Sequence, residues 1–243
     1  MSQSTCRKVN YIDAIHNKVN VALHDSKGSA MIRLIPAAQT DLFPSVTDAM
    51  FRCRAQTFSE RLGWEVVVKD GYERDRFDDE NPLYLVSVDP SSGEYWGSLR
   101  LLPTTGPNML RDVFPFLLND DEVIESATIW ESSRICAAAQ YGQPERAKGG
   151  VNYVLAELLV GIGDVARLAG LTQIVSVFDA RIFRILKASG CKPDIIGTPR
   201  RIGGTMSYAG LFNMDEAFQR AVRGGLGIEG SVLAPDALKL MAA

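Results

Sequence analysis

The passage from residue 150 to residue 178 constrains the fold most. Val154, Leu155, Leu158, Leu159, Ile162, Val165, Ala166 and Leu168 recur at helical spacing, and the pattern stops at Gly170. Gln173–Phe178 follows at once and reads as a buried strand. A long apolar helix that leads directly into a buried strand needs a sheet to lie against. Further upstream, Leu83–Val88 and Tyr95–Leu102 flank Asp89-Pro-Ser-Ser-Gly93, turn chemistry that makes the pair a hairpin.

The remaining signals fill in around these two units. Met31–Ile35 reads as a strand stopped by Pro36. Residues 45–62 read as a helix, with Ser45 as N-cap, Asp48 three positions on and Gly63 as C-cap. Met50, Arg54 and Phe58 share one face of that helix. An acidic loop is expected over 65–81, a short helix over Met109–Leu118 and a strand over Ala127–Ala137. A helix over Ala180–Ala188 ends near Gly190, strands lie at 193–197 and 205–212, and a last helix covers 214–223. Strands and helices mix without strict alternation. The expectation is therefore an α/β chain with a mixed sheet (an α+β arrangement) and helices on both faces, not a parallel doubly wound sheet. Residues 1–30 read as a flexible extension, 31–225 as one domain and 226–243 as a tail.

Composition limits the chemistry. The chain has 243 residues, and both its histidines, His16 and His24, precede the first strand. A Ser-His-Asp or Cys-His site in the body is thereby excluded, as is a histidine metal centre. Cys6, Cys53, Cys136 and Cys191 are scattered with no CxxC pair and read as reduced thiols. Twenty-six basic residues against 29 acidic ones leave a net charge of -3, which gives no argument for nucleic acid. No apolar run approaches a membrane span or a signal peptide, so the reading is cytoplasmic, with no metal and no membrane partner.

Three groups of residues carry the chemistry that remains. Arg54 and Phe58 share a helical face ahead of Trp64. Glu73, Asp75 and Asp78 crowd one loop. Arg100, Glu131 and Arg134 fall inside strands that otherwise read as core. Taken singly, each has a plain structural reading as a snorkelling side chain, a core aromatic or a surface ion pair. Together they describe a cleft of arginines and carboxylates beside aromatic rings. Arginine forks suit a carboxylate, carboxylates suit an ammonium, and ring faces suit a sulfonium.

In their order along the chain these residues resemble the acyl-homoserine-lactone synthases, the bacterial autoinducer synthases. The resemblance runs from about Met31 to about residue 212. It rests on Arg54-x3-Phe58, Arg61-x2-Trp64, Glu73-x-Asp75-x-Phe77-Asp78, Gly97-Ser-Leu-Arg100 continuing to Leu110, Phe114-Pro115 and Ile129-Trp-Glu-Ser-Ser-Arg134. It implies a single-domain α/β/α sandwich similar to the N-acetyltransferase fold, with a V-shaped split in the sheet. It also implies that an acyl thioester acylates the amine of S-adenosylmethionine. Lactone closure then releases methylthioadenosine.

The resemblance also assigns roles. Glu131 is the expected base, and Arg134 and Arg100 are expected to hold the methionyl carboxylate or to order the acidic loop. Asp75 and Asp78 are expected to pair with Arg54 and Arg100. Phe58, Trp64 and Phe114 are expected to wall the S-adenosylmethionine pocket. Ser176 and Phe178 are expected at the acyl tunnel, within residues 150–178. No cofactor is implied. The donor is acyl carrier protein or acyl-CoA, and Arg181, Arg184, Lys187, Arg200 and Arg201 are offered as a basic docking face. Gln143–Gly150 is a weak pyrophosphate-loop candidate. Glu131 and Arg134 are three apart, so they share a site only if a bulge or a strand end lies between them. Two rivals remain, an N-acyltransferase with another amine acceptor and a non-catalytic binder of acyl thioesters or adenosyl ligands.

Overall fold

A computed structural model describes residues 32–120, 122–138 and 147–235. The expected N-terminal extension, Met31 and the first half of Gln143–Gly150 lie outside these residues. Among the described residues nine strands form: β1 (Ile32–Pro36), β2 (Val68–Lys69), β3 (Tyr72–Glu73), β4 (Leu83–Val88), β5 (Tyr95–Pro103), β6 (Ile129–Ala137), β7 (Gln173–Asp179), β8 (Asp194–Ile202) and β9 (Thr205–Asn213). The helices are α1 (Pro44–Arg54), α2 (Met109–Asp112), α3 (Tyr153–Ala169), α4 (Ala180–Ala188) and α5 (Glu216–Leu226).

Seven strands make one sheet in the order β1-β4-β5-β6-β7-β9-β8. Every neighbouring pair is antiparallel except β6 and β7, which are joined through α3. Each strand's pleat sends alternate residues to opposite faces. On one face Ile32, Leu34, Leu85, Leu99, Trp130 and Ile174 pack with residues of α3, α4 and α5. On the other, Ile35, Tyr84, Val86 and Tyr95 pack with Val46, Met50 and Phe51 of α1. Further along that face, Val175 and Ala209 meet Leu110 and Leu117. The expected mixed sheet with helices on both faces is present.

The sheet opens at its centre. β6 and β7 pair only from Ile129↔Gln173 to Ser132↔Ser176. Past that point β6 runs on against β5, while β7 runs on against β9. The two strands thus diverge into a fork.

Several local expectations need correction. Pro44 takes the first helical position of α1 and Phe43 the N-cap, so Ser45 does not cap and no capping box forms. The helix does not stay α to residue 62. It continues as a π-helical stretch, Ala55–Arg61, and ends at Leu62 with Gly63 at φ +64°. The acidic stretch 65–81 is not a plain loop. Gly71, at φ +83°, turns β2 into β3, and a 3-10 turn follows at Arg76–Asp79. The helix expected over Met109–Leu118 is one turn, α2, followed by a separate 3-10 turn at Pro115–Leu117. Beyond α5 the chain returns to β1: Ile32 N–H donates to Val232 O, and Ala234 N–H donates to Ile32 O.

Candidate active site

The acidic turn and the arginines converge on one face of the sheet. Asp75 caps the 3-10 turn Arg76–Asp79 through a capping box with Asp78, which fixes both carboxylates in place. Arg54, on the last turn of α1, is 1% exposed. Its Nε donates to Glu73 (2.6 Å), and its two terminal nitrogens donate to Asp78 (2.8 and 2.9 Å). Arg100, on β5, is 0% exposed. It donates to both oxygens of Asp75 (2.6 and 3.1 Å) and to Asp78 (2.9 Å). Arg134, on β6, reaches Glu73 (2.9 Å) and Asp75 (2.8 Å). The hydroxyl of Tyr84 donates to Asp78 (2.8 Å).

Three arginines therefore face three carboxylates; Asp75 stays 19% exposed, and the other five are nearly out of water. Such charges are tolerable only when fully partnered. Burial opposes the charge on Asp78, yet Arg54 and Arg100 hold its carboxyl below the usual carboxylate range. Burial likewise opposes the charge on Arg54, and Asp78 and Glu73 outweigh it.

The bulge that Glu131 and Arg134 require is present. Ser98 pairs with Cys136 and Arg100 with Ser133, so β6 carries one more residue than β5 between these pairs. Arg134 takes it up at φ +55°, a left-handed backbone that a non-glycine residue adopts only under surrounding constraint. Both side chains then meet the start of α2. Arg134 lies 3.3 Å from Met109 Sδ. Glu131 is 1% exposed and accepts from the N–H of Met109 (2.8 Å) and of Leu110 (2.6 Å). Burial pushes its carboxyl up, against the pull of these two donors and of Arg100 and Arg134. Asn108 caps α2 by accepting from Arg111 N–H (3.0 Å), which completes the turn that Glu131 holds.

Aromatic rings edge the cluster. Phe58, carried on the π-helical stretch, lies under the Arg134 guanidinium at 5.2 Å. Trp64 stacks on Phe58 at 5.1 Å and is 41% exposed, which makes it the outer wall. Phe114 is half-buried between α2 and Phe77.

The opposite side of the fork is apolar. A cavity of about 70 Å³ is lined by Ser132, Ser176, Phe178, Ile182, Phe212 and Phe218, among others. Ser176 Oγ donates to Ser132 O (2.7 Å) where the two strands part. Phe178 stacks near Phe183, Tyr208 and Phe212. The pleat of β6 therefore divides two environments: Glu131 and Ser133 face the ions, and Ser132 faces the cavity.

The basic docking face forms only in part. Arg181, Arg184 and Lys187 are exposed on α4. Arg200 instead donates to Phe116 O (2.6 Å), on the sheet's other face. A side chain at Gly197 would collide with Leu117 O, and this close approach seats β8 against that turn. Arg201 donates to Gly204 O (3.2 Å). Sequence reasoning left Tyr84 and Met109 out of the site. Tyr84 lies in a strand whose residues are all buried, so nothing in its pattern marked it. Met109 enters through its backbone N–H to Glu131 and its sulfur beside Arg134 and Arg100, contacts that no sequence motif reports.

The autoinducer synthase family model matches residues 39–222. The acyl-homoserine-lactone synthase of Rhizobium etli is 36% identical over 197 residues, 81% of this chain and 90% of that protein. The solved structure of MesI, a CoA-dependent acyl-homoserine lactone synthase, superposes with TM-score 0.70 at 25% identity, covering 84% of this chain and 99% of that one. TofI, solved in a ternary complex with an inhibitor and MTA, superposes with TM-score 0.64 at 28% identity, covering 82% and 97%. Among the described residues no helix is long and apolar enough to cross a membrane.

Proposed function

The chain belongs to the autoinducer synthase family and is an acyl-homoserine-lactone synthase, and on that premise we propose how its residues divide the reaction. S-adenosylmethionine lies on the ionic side of the fork. Phe58, Trp64 and Phe114 wall it, Arg134 attracts its carboxylate, and the buried Arg100 orders the acidic turn. Asp75 and Asp78, locked by Arg54 and Arg100, hold the acidic turn as the floor. The acyl chain lies in the apolar cavity, with Ser176 at the mouth and Phe178 narrowing it. The thioester carbonyl then sits where β6 and β7 part, beyond the Ser132–Ser176 pair.

Glu131 is the base. Both its oxygens are engaged by α2, but each keeps a lone pair, and burial raises its basicity. The substrate amine, with a free pKa near ~8, gives its proton to Glu131 through one water and attacks the thioester carbon. Backbone N–H groups beyond Ser132 and Ser176, unpaired across the fork, stabilise the tetrahedral oxyanion. After the thiol leaves, the methionyl carboxylate attacks its own γ-carbon and a neutral thioether departs, so closure needs little acid.

The donor is a thioester on an anionic carrier, coenzyme A or acyl carrier protein, and the exposed Arg181, Arg184 and Lys187 suit either. No separate cofactor takes part, and residues 31–225 are the working domain. The proposed setting is the cytoplasm, where acyl thioesters and S-adenosylmethionine are made.

One observation carries this reading. The Arg134 bulge turns Glu131 and Arg134 to the same side of β6, with Arg134 against the Asp75 turn, while Ser132 between them lines the apolar cavity on the other side. Mass spectrometry of products from S-adenosylmethionine and a panel of acyl-CoA and acyl-carrier-protein donors tests it. Lactone with equimolar methylthioadenosine is the expected result. Acylation of another amine, with no methylthioadenosine, would contradict it.

A further inference from the structure

Three helices roof the apolar cavity, and a single buried carboxylate holds one of them. Opposite the strands, Gly163 of α3 and Gln219, Val222 and Arg223 of α5 line the cavity. Asp164, next to Gly163 on α3, is 2% exposed. Its carboxylate accepts from Arg223, in the last turn of α5. It also accepts from the Ser231 hydroxyl (3.0 Å) and the Val232 N–H (3.0 Å), in the segment that leaves α5 and returns to β1. Arg223 donates in addition to Gly230 O, so one arginine ties α3, α5 and that segment together. A buried carboxylate with a cation and two further donors is well partnered, and removing the cation loosens everything that hangs on it.

Gly163 decides how close the pinned helix comes. A Cβ there would stand 3.4 Å from Gln219 Cγ and 3.6 Å from its Cδ, so the Gln219 stem already fills the space that a larger side chain would need. Glycine inside a helix costs about 1 kcal/mol against alanine, and this close approach is what it permits. Gln219 is itself tied, its Nε2 donating to Met214 O (2.9 Å) just past β9. α5 is therefore held near its start by Gln219 and near its end by Arg223. Both residues line the cavity, and the gap they leave is about 70 Å³.

We propose that the Asp164–Arg223 pin, by holding α5 against Gly163, sets the size of the acyl group that the synthase accepts. This rests on the reading that the acyl chain occupies the cavity. Asp164 touches no substrate; it is a positioning residue that acts through Arg223 and Gln219. Releasing the pin lets α5 move off α3 and admits longer chains. With the pin intact, a side chain at Gly163 takes cavity volume and excludes them.

The test is a competition in the full-length protein among butanoyl, hexanoyl, octanoyl and decanoyl donors, each as the CoA and the carrier-protein thioester, with the product lactones resolved by mass spectrometry. Asp164→Asn keeps the shape of the side chain but weakens the hold on Arg223, and Arg223→Ala removes that hold from the other side. Both should raise the ratio of decanoyl to butanoyl product, and Gly163→Val should lower it, each by roughly tenfold or more. The KM for S-adenosylmethionine should hold in all three. A loss shared equally by every donor, with the ratio unchanged, would make the pin a plain stability element and overturn the proposal. Ratios unmoved in these three variants but moved in Phe178→Ala would overturn it while leaving the cavity as the acyl site. No movement in any of the four would overturn both readings. Arg223→Ala, at a partly exposed position, decides the question even if Asp164→Asn folds poorly.

Discussion

The two sides of the fork are built from opposite materials. On one, Arg54, Arg100 and Arg134 meet Glu73, Asp75 and Asp78 in a buried lattice, with nearly every atom committed to a partner. On the other, Phe178, Phe212 and Phe218 enclose a cavity whose polar groups are few. The ionic side is geometrically strict, because a buried charge that loses its partner is expensive. The apolar side is permissive, because dispersion and burial have no direction. A fixed acceptor and a variable acyl chain call for that pairing. A single strand, β6, supplies both walls by alternation, and the bulge at Arg134 adds one more charge to the ionic wall.

Breaking the strict side should cost most. Arg54→Ala leaves Glu73 and Asp78 buried without their shared partner, with an expected loss of about 3–5 kcal/mol in urea unfolding. The sign with pH follows from Asp78. Its folded pKa lies below its unfolded one, so its contribution is present above the ordinary carboxylate range and is lost as pH falls through the folded value. The wild-type advantage over Arg54→Ala should therefore shrink in acid.

Glu131→Gln tests chemistry on the same side. Turnover should fall by roughly 10²–10⁴, with the KM for S-adenosylmethionine little changed. A matched loss in binding and stability, with turnover intact, would make Glu131 only the anchor of α2.

Phe178→Ala tests the permissive side. Preference among acyl donors should shift toward bulkier groups by roughly 10–200-fold, while the KM for S-adenosylmethionine holds. Unchanged donor preference would remove Phe178 from the acyl site.

The rest of the sheet supplies a control. Glu157 on α3 is buried and accepts from the Ser87 hydroxyl (2.8 Å), and burial pushes its carboxyl up to about 7. Its folded pKa exceeds its unfolded value, so the penalty for ionising it accrues from about pH 4.5 to 7. Glu157→Gln should raise the melting temperature at pH 8 and leave it unchanged at pH 4, without altering either KM. Smallest of all, Trp64→Ala removes one stacked, half-exposed ring. The KM for S-adenosylmethionine should rise by no more than about tenfold, with acyl preference untouched.

Legibility in the sequence followed the same divide. α3 and β7 announced themselves because period and terminators agreed, ending at Gly170 in the left-handed conformation. The members of the ion lattice were visible as charges inside apolar patterns, and strand parity alone required a bulge or a strand end between Glu131 and Arg134. Other features left no trace. The π-helical stretch Ala55–Arg61 uses the same residues a regular helix would. β2 and β3 are two residues each, too short for a period, and acidic composition masked them. Ser45 misled because Pro44 fixes the backbone first. Tyr84 and the Met109 N–H are brought to the site by tertiary packing, which single-sequence patterns do not encode.

A crystal structure of the protein with methylthioadenosine and a non-reactive acyl thioester analogue tests the division most directly. The account predicts the thioether ligand against Phe58 and Trp64 on the ionic side. It predicts the acyl chain beside Phe178 in the cavity, and the carbonyl between Ser132 and Ser176. Both ligands on one side of β6, or a carbonyl remote from Glu131, would contradict it.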